Sequence, residues 1–153
     1  MTARPATPAD ADELIRLRAV LLRSHAGPGW NDDWREPSRQ ILVKSLAEPD
    51  PTLAGFVVDR PGGGLAACAV GTIVQRLGGP ANPTGRSGYV FSVATDPDQR
   101  RRGFSRACMT ALLDWFQARG VARIELKASP DGEPLYLGLG FERTTDPAMG
   151  LLL

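Results

Sequence analysis

The stretch Val93-Ala-Thr-Asp-Pro-Asp-Gln-Arg-Arg-Arg-Gly-Phe-Ser105 restricts the possible folds of this chain more than any other segment. It reads as the end of an apolar strand, a turn rich in arginine, one glycine and the first residues of a helix. Phe104, Ala107, Cys108, Ala111, Leu112, Trp115 and Phe116 recur at three- and four-residue intervals, the apolar stripe of an amphipathic helix. Gly120 follows as its stop. The first turn of a helix has N–H groups without intrahelical partners and carries the positive end of the helix dipole, so it attracts anions. Gly103, lacking a Cβ, lets a bulky ligand approach the backbone, and Arg100, Arg101 and Arg102 add charge beside the amides. The wiring is that of a pyrophosphate cradle built from the N–H groups of residues 101–106, with Arg101, Arg102 or Arg106 placed for a further phosphate.

The rest of the chain supplies a frame for that cradle. Its 153 residues suit one domain, residues 1–153, with a real core. No apolar run approaches the ~20 residues of a membrane helix, and the N-terminus lacks a signal-peptide core, so a cytoplasmic protein is expected. A net charge of +1 gives no global basic field for nucleic acid. Cys68 and Cys108 fall at apolar positions and read as buried reduced thiols; no Cys/His cluster suggests a metal.

Thr7-Pro8-Ala9-Asp10 signals a helix start after a short strand over residues 2–5, and Leu14, Leu17, Leu21 and Leu22 continue it as a stripe. A loop over residues 27–36 leads to a helix over residues 37–47 with Ile41, Leu42 and Leu46 inward. Strands are expected over residues 52–59, 65–77 and 87–95, and after the long helix over residues 124–127. A short helix over residues 133–139 and closing strand material over residues 143–153 complete the order. This is an α/β (α+β) arrangement, a mixed sheet with helices on both faces, and the strand–helix–strand unit over residues 87–127 should be a right-handed crossover between parallel strands.

Arg100-x-x-Gly103-x-Ser105 after a strand resembles the acyl-CoA loop of the GNAT superfamily of N-acetyltransferases. So does the later run Ser129-Pro-Asp-Gly132-Glu-Pro-Leu135-Tyr136-Leu-Gly-Leu-Gly140-Phe141, where the family commonly has Asn, then Ala, then L-Y-x-x-x-G-F. Ser105 stands for Gly or Ala and keeps the cradle open; Ser129 stands for Asn and keeps a hydroxyl to donate; Gly132 stands for Ala. The likeness spans residues 87–142. It implies a mostly antiparallel sheet whose two parallel strands splay apart at the cofactor, and acetyl-CoA as co-substrate. Val93, Ala94 and Thr95 would line the pantetheine arm by main-chain pairing, and residues 100–106, Phe104 among them, with Ser129, would complete its site. Tyr136 would protonate the leaving thiolate.

The implied reaction is direct attack of a small-molecule or peptide amine on the thioester. The alternative is an acyl-CoA-binding regulatory module without catalysis. A base must neutralise the amine, and Asp32, Asp33, Glu36, Glu125, His25 or water are the candidates. Trp30 and Trp34 beside the Asp pair offer rings to a cationic amine. The apolar tail Met149-Gly-Leu-Leu-Leu153 offers an edge to a second copy in a homodimer.

Overall fold

Alternation of side chains along three long strands divides the core into two layers. The computed structural model describes residues 2–153; Met1, which the expected domain span includes, lies outside them. The sheet has the order β1 (Arg4–Pro5), β2 (Leu53–Asp59), β3 (Leu65–Gln75), β4 (Arg86–Thr95) and β5 (Ile124–Leu126). Only β4 and β5 run parallel. Val57, Cys68 and Val70 point to one face, where α1 (Ala11–Arg23) and α2 (Arg35–Ala47) bring Leu14, Leu17 and Leu42. Val58, Ala67, Ala69 and Val90 point to the other, where α3 (Phe104–Ala118) brings Cys108, Met109, Leu112 and Phe116. Each fully buried Val, Leu, Phe or Met among them contributes about 1.5–3 kcal/mol.

α3 lies very close to the sheet. A Cβ on Gly71 would stand 2.9 Å from the Phe116 ring, and one on Gly88 2.7 Å from it, so two glycines on adjacent strands make the flat seat for that ring. Met109, fully buried, belongs to the helix face although the interval count omitted it. A short α4 (Glu133–Gly138) follows β5.

Three expectations need correction. Residues 142–153 form no strand: Pro147 lacks a donor, Gly150 adds freedom, and Met149 and Leu151–Leu153 are exposed. Ile41 is 55% exposed because Leu42, Val43 and Leu46 take the inward side of α2. α2 begins at Arg35, with Pro37 inside its first turn. Thr7 does open the first helical segment, its N–H donating to Asp10 at 2.8 Å, though the first three residues form a 3₁₀ turn before α1.

Candidate functional site

β4 carries a bulge where it passes under the two helix layers. Val70 pairs with Ser92 and Gly71 with Val90, so Phe91 has no partner of its own. The extra residue puts Val90 and Val93 on the α3 face and Phe91 and Ala94 on the α1/α2 face. It also marks the place where β4 loses its parallel neighbour, since β5 pairs only from Gly88 to Val90. Beyond that point β4 is bonded on one side alone. Asp96 N–H donates to the Ala66 carbonyl at 2.8 Å, so strand alternation turns Ala94 toward β3, and Val93 and Thr95 toward the open side. Their N–H and C=O groups line a gap that a peptide-like ligand can satisfy.

The gap leads into the arginine turn. Arg101 has φ 64° and Gly103 φ 79°, two left-handed residues within three positions, and Arg101 is the one non-glycine residue with positive φ among the described residues. Such a backbone curls its N–H groups into a concave nest. No protein atom lies within 4 Å of where a Gly103 Cβ would stand, so the space before it is open; the left-handed φ is a second reason for glycine here. Gly103 caps α3 by accepting from Ala107 N–H at 3.0 Å, and no side chain caps the first helical amides. Thr95 and Ser105 join the end of β4 to the first turn of α3 through a hydroxyl–hydroxyl hydrogen bond. Phe104 is buried beneath the turn, whereas Arg100, Arg101, Arg102 and Arg106 are exposed around it.

A buried carboxylate, which the sequence reading passed over as a strand end, anchors the entrance to this turn. Asp96 is 4% exposed and accepts from Arg16 at 2.8 and 2.9 Å and from Arg60 at 2.9 Å. Arg60 also reaches Asp98, and Arg16 reaches Glu13, so α1, the β2–β3 turn and the loop are tied together. Glu13 in turn accepts from Leu65 N–H at 2.8 Å. The hydrogen bond from Arg16 holds the Glu13 carboxyl below the usual carboxylate range.

α4 lies near the first turn of α3, within reach of Arg106. Ser129 Oγ accepts from Gly132 N–H at 3.1 Å, which leaves its own hydrogen free to donate. The space beside Gly132 is bounded by the Tyr136 ring at 3.1 Å and Ser129 Oγ at 3.2 Å from its Cβ position, so the two expected site residues flank one glycine. Tyr136 packs edge-on against Phe141 with 6.0 Å between ring centroids, and burial pushes its hydroxyl pKa up, favouring the protonated form. Arg106 reaches across to α4, ending 2.7 Å from the Cβ position of Gly138.

Most of the candidate bases have partners of their own. Asp32 pairs with Arg35 at 2.7 Å, which lowers its pKa, and Glu125 lies between Arg123 at 3.2 Å and Arg76 at 3.7 Å. Glu36 faces Arg39 and Gln40, and Asp33 is exposed with its N–H bonded to Asn31. His25 closes the end of α1 beside Ser24 Oγ and the Leu21 carbonyl. Arg23 and Arg35 themselves cover the rings of Trp30 and Trp34, at 4.4 and 5.1 Å, so those rings do not wait for a ligand cation. Both cysteines are free and buried; burial pushes Cys68 up to about 12 and Cys108 higher still, so neither is a nucleophile at neutral pH.

What sequence reasoning missed is a cavity of about 320 Å³ on the α1/α2 face. Its wall includes Leu14, Ile41, Leu42, Leu53 and Val70, with Arg18, and its floor is the bulge at Phe91 and Ser92. Residues 14 to 92 contribute one or two at a time, so no local motif marks it.

Comparison with known proteins agrees with this geometry. The sequence model of the Acetyltransferase (GNAT) family matches residues 17–141. A 59-residue stretch is 41% identical to the [ribosomal protein bS18]-alanine N-acetyltransferase of Escherichia coli K12, over 37% of this chain and 40% of that protein. The chain thus matches well under half the length of its curated relatives. The fold is shared with a predicted acetyltransferase from Clostridium acetobutylicum, solved with acetyl-CoA, at TM-score 0.84 and 23% identity over 98% of this chain and 95% of that one. It is shared as well with a GCN5-related N-acetyltransferase from Ralstonia eutropha JMP134, at TM-score 0.81 and 26% identity over 97% of each chain. By its sequence over most of its length and by its splayed sheet, the chain belongs to the GNAT family of acetyltransferases.

Proposed function

We propose that this protein is an acetyl-CoA-dependent N-acetyltransferase that passes an acetyl group from the thioester to a primary amine by direct attack within a ternary complex. One observation carries the reading: the edge of β4 that lacks a strand partner leads through the arginine turn to a helix N-terminus whose amides no side chain caps. A ligand with amides at one end and a pyrophosphate at the other fits both halves. The family uses acetyl-CoA, which supplies an activated acyl carbon on a thiol leaving group.

In this reading Val93 and Thr95 pair with the pantetheine amides, and the N–H groups of residues 101–106 hold the pyrophosphate, with Arg100, Arg101, Arg102 and Arg106 screening its charge. Phe104 supports the turn from below, and Ser129 donates from the turn before α4. N–H groups of the bulged strand polarise the acyl carbonyl and hold it for the incoming nitrogen. Tyr136 holds a proton at its hydroxyl for the departing sulfur; a thiol pKa near 8.5 and a phenol pKa near 10 make that transfer feasible. The buried, unreactive thiols favour direct attack over an acyl-cysteine route. They accord with a reducing, cytoplasmic setting as well, and among the described residues no helix is long and apolar enough to cross a membrane.

The test is release of free thiol from acetyl-CoA on addition of amines, amino acids and peptides, with the acetylated amine identified by mass. Amine-dependent release with a matching product is expected. Tight acetyl-CoA binding without transfer to any amine would replace this reading with a regulatory acyl-CoA-binding module.

A further inference from the structure

The cavity on the α1/α2 face ends at the bulge of β4, the same residues over which β4 loses its parallel neighbour. Its walls are mostly aliphatic and aromatic, with the hydroxyls of Ser38, Thr72 and Ser92 and one charged group, Arg18. Most half-buried arginines of this protein are neutralised by carboxylates: Arg4 by Asp10 and Asp59, Arg16 by Glu13 and Asp96, Arg60 by Asp96 and Asp98. Arg18 has a different partner. Its hydrogen bond runs from Nη1 to the Phe91 carbonyl at a long 3.4 Å, so most of its five donors have no protein partner, and Arg18 lines the cavity. A guanidinium in apolar surroundings without an anion is poorly compensated, and it selects a carboxylate ligand in a planar, two-point geometry. The volume, near the lower end of the roughly 300–1,000 Å³ usual for ligand pockets, admits only a compact molecule.

We infer that this cavity is an acceptor site for small apolar α-amino acids, with Arg18 binding the carboxylate and Leu14, Ile41, Leu42, Leu53 and Val70 enclosing the side chain. The inference rests on the acetyl-transfer reading and names its acceptor class. An α-amine is two bonds from its carboxylate, so a carboxylate on Arg18 keeps the amine beside the bulge at the open edge of β4. A polyamine has no carboxylate, and its charges would face Arg18. The lining has no carboxylate or imidazole, so the amine's proton leaves to water and the nitrogen attacks as the free base. The C–N bond forms as the C–S bond breaks, its electron pair leaves with sulfur, the sulfur takes a proton from Tyr136, and the proton that the new amide nitrogen sheds returns through water to the Tyr136 oxygen. The products are an N-acetyl amino acid and free CoA.

The experiment compares leucine, methionine and phenylalanine with their carboxamides, with spermidine and with a peptide beginning in alanine, each against acetyl-CoA. Thiol release and product mass are read together with acetyl-CoA binding measured separately. The free acids should exceed their amides at least tenfold in kcat/KM. Arg18→Met, which keeps an apolar stem, should bring the ratio near one, chiefly through acceptor KM, and Arg18→Lys should retain part of the preference. Melting curves check that the variants fold. Amides, the peptide or spermidine matching or exceeding the free acids would overturn the inference and leave the transferase intact, as would an unchanged acid-to-amide ratio in Arg18→Met. Failure to bind acetyl-CoA would overturn both.

Discussion

The two faces that meet at β4 build their sites from different material. On the α3 side the proposed donor cleft is made of backbone: an unpaired strand edge, two left-handed residues and a helix N-terminus. On the α1/α2 side the cavity is made of side chains drawn from two helices and three strands. A backbone site tolerates almost any side chain at most positions but demands glycine where φ is positive. A side-chain site tolerates almost any backbone but depends on each residue that lines it. The first kind should be conspicuous in sequence and shared among relatives. The second sets what one enzyme acts on and leaves little local trace.

The sharpest break of this comparison is Gly103→Val. A β-branched residue at φ 79° is strained by about 1–2 kcal/mol, yet its Cβ meets no protein atom within 4 Å, so the fold should persist. Its branches would occupy the open space before the nest, and acetyl-CoA binding, read by calorimetry, should be abolished. Retained affinity would mean that the nest is not the anion site.

Next in size is Tyr136→Phe. The ring and its contact with Phe141 remain, so acetyl-CoA affinity should change little while turnover falls roughly 10²-fold, as for loss of a general acid. The deficit should shrink with a donor whose leaving thiol is more acidic. Full turnover would return Tyr136 to a packing role. Arg18→Met, with its tenfold change confined to acceptor preference, is the counterpart on the opposite face.

The smallest effect is global and separates the frame from either site. Hydrogen bonds from Arg4 and Arg16 hold Asp10 and Glu13 below the ordinary carboxylate range. A depressed carboxylate stabilises the fold above its unfolded pKa, near 4, and loses that contribution as pH falls through the lower folded value. The melting temperature should therefore be nearly level from about pH 7 to 5 and decline below about pH 4. Asp10→Asn should flatten the acid limb by a few degrees.

Legibility followed the same division. The stripe from Phe104 to Phe116 announced α3, and Gly103 and the arginines announced the turn, because a helix start and a positive φ restrict residue type locally. The left-handed backbone at Arg101 has no such signal, since nothing in an arginine reports a positive φ. Ile41 was placed inward because apolar character does not reveal which side of α2 meets the sheet; it lines the cavity mouth instead. The tail from Arg143 was read as a strand for its leucines, yet strand propensity without a partner makes none. The cavity and the Arg16–Asp96–Arg60 tie had no signature, because tertiary contacts between residues as distant as 16 and 96 create them.

The most direct test of the central claim is amide hydrogen exchange with and without saturating acetyl-CoA. A donor cleft made of backbone predicts that exchange slows at least about tenfold at Val93, Thr95, Phe104, Ser105 and Arg106, the amides without protein partners, while α1 and α2 change little. Unchanged exchange at those five amides, or protection centred on α1 and α2, would contradict it.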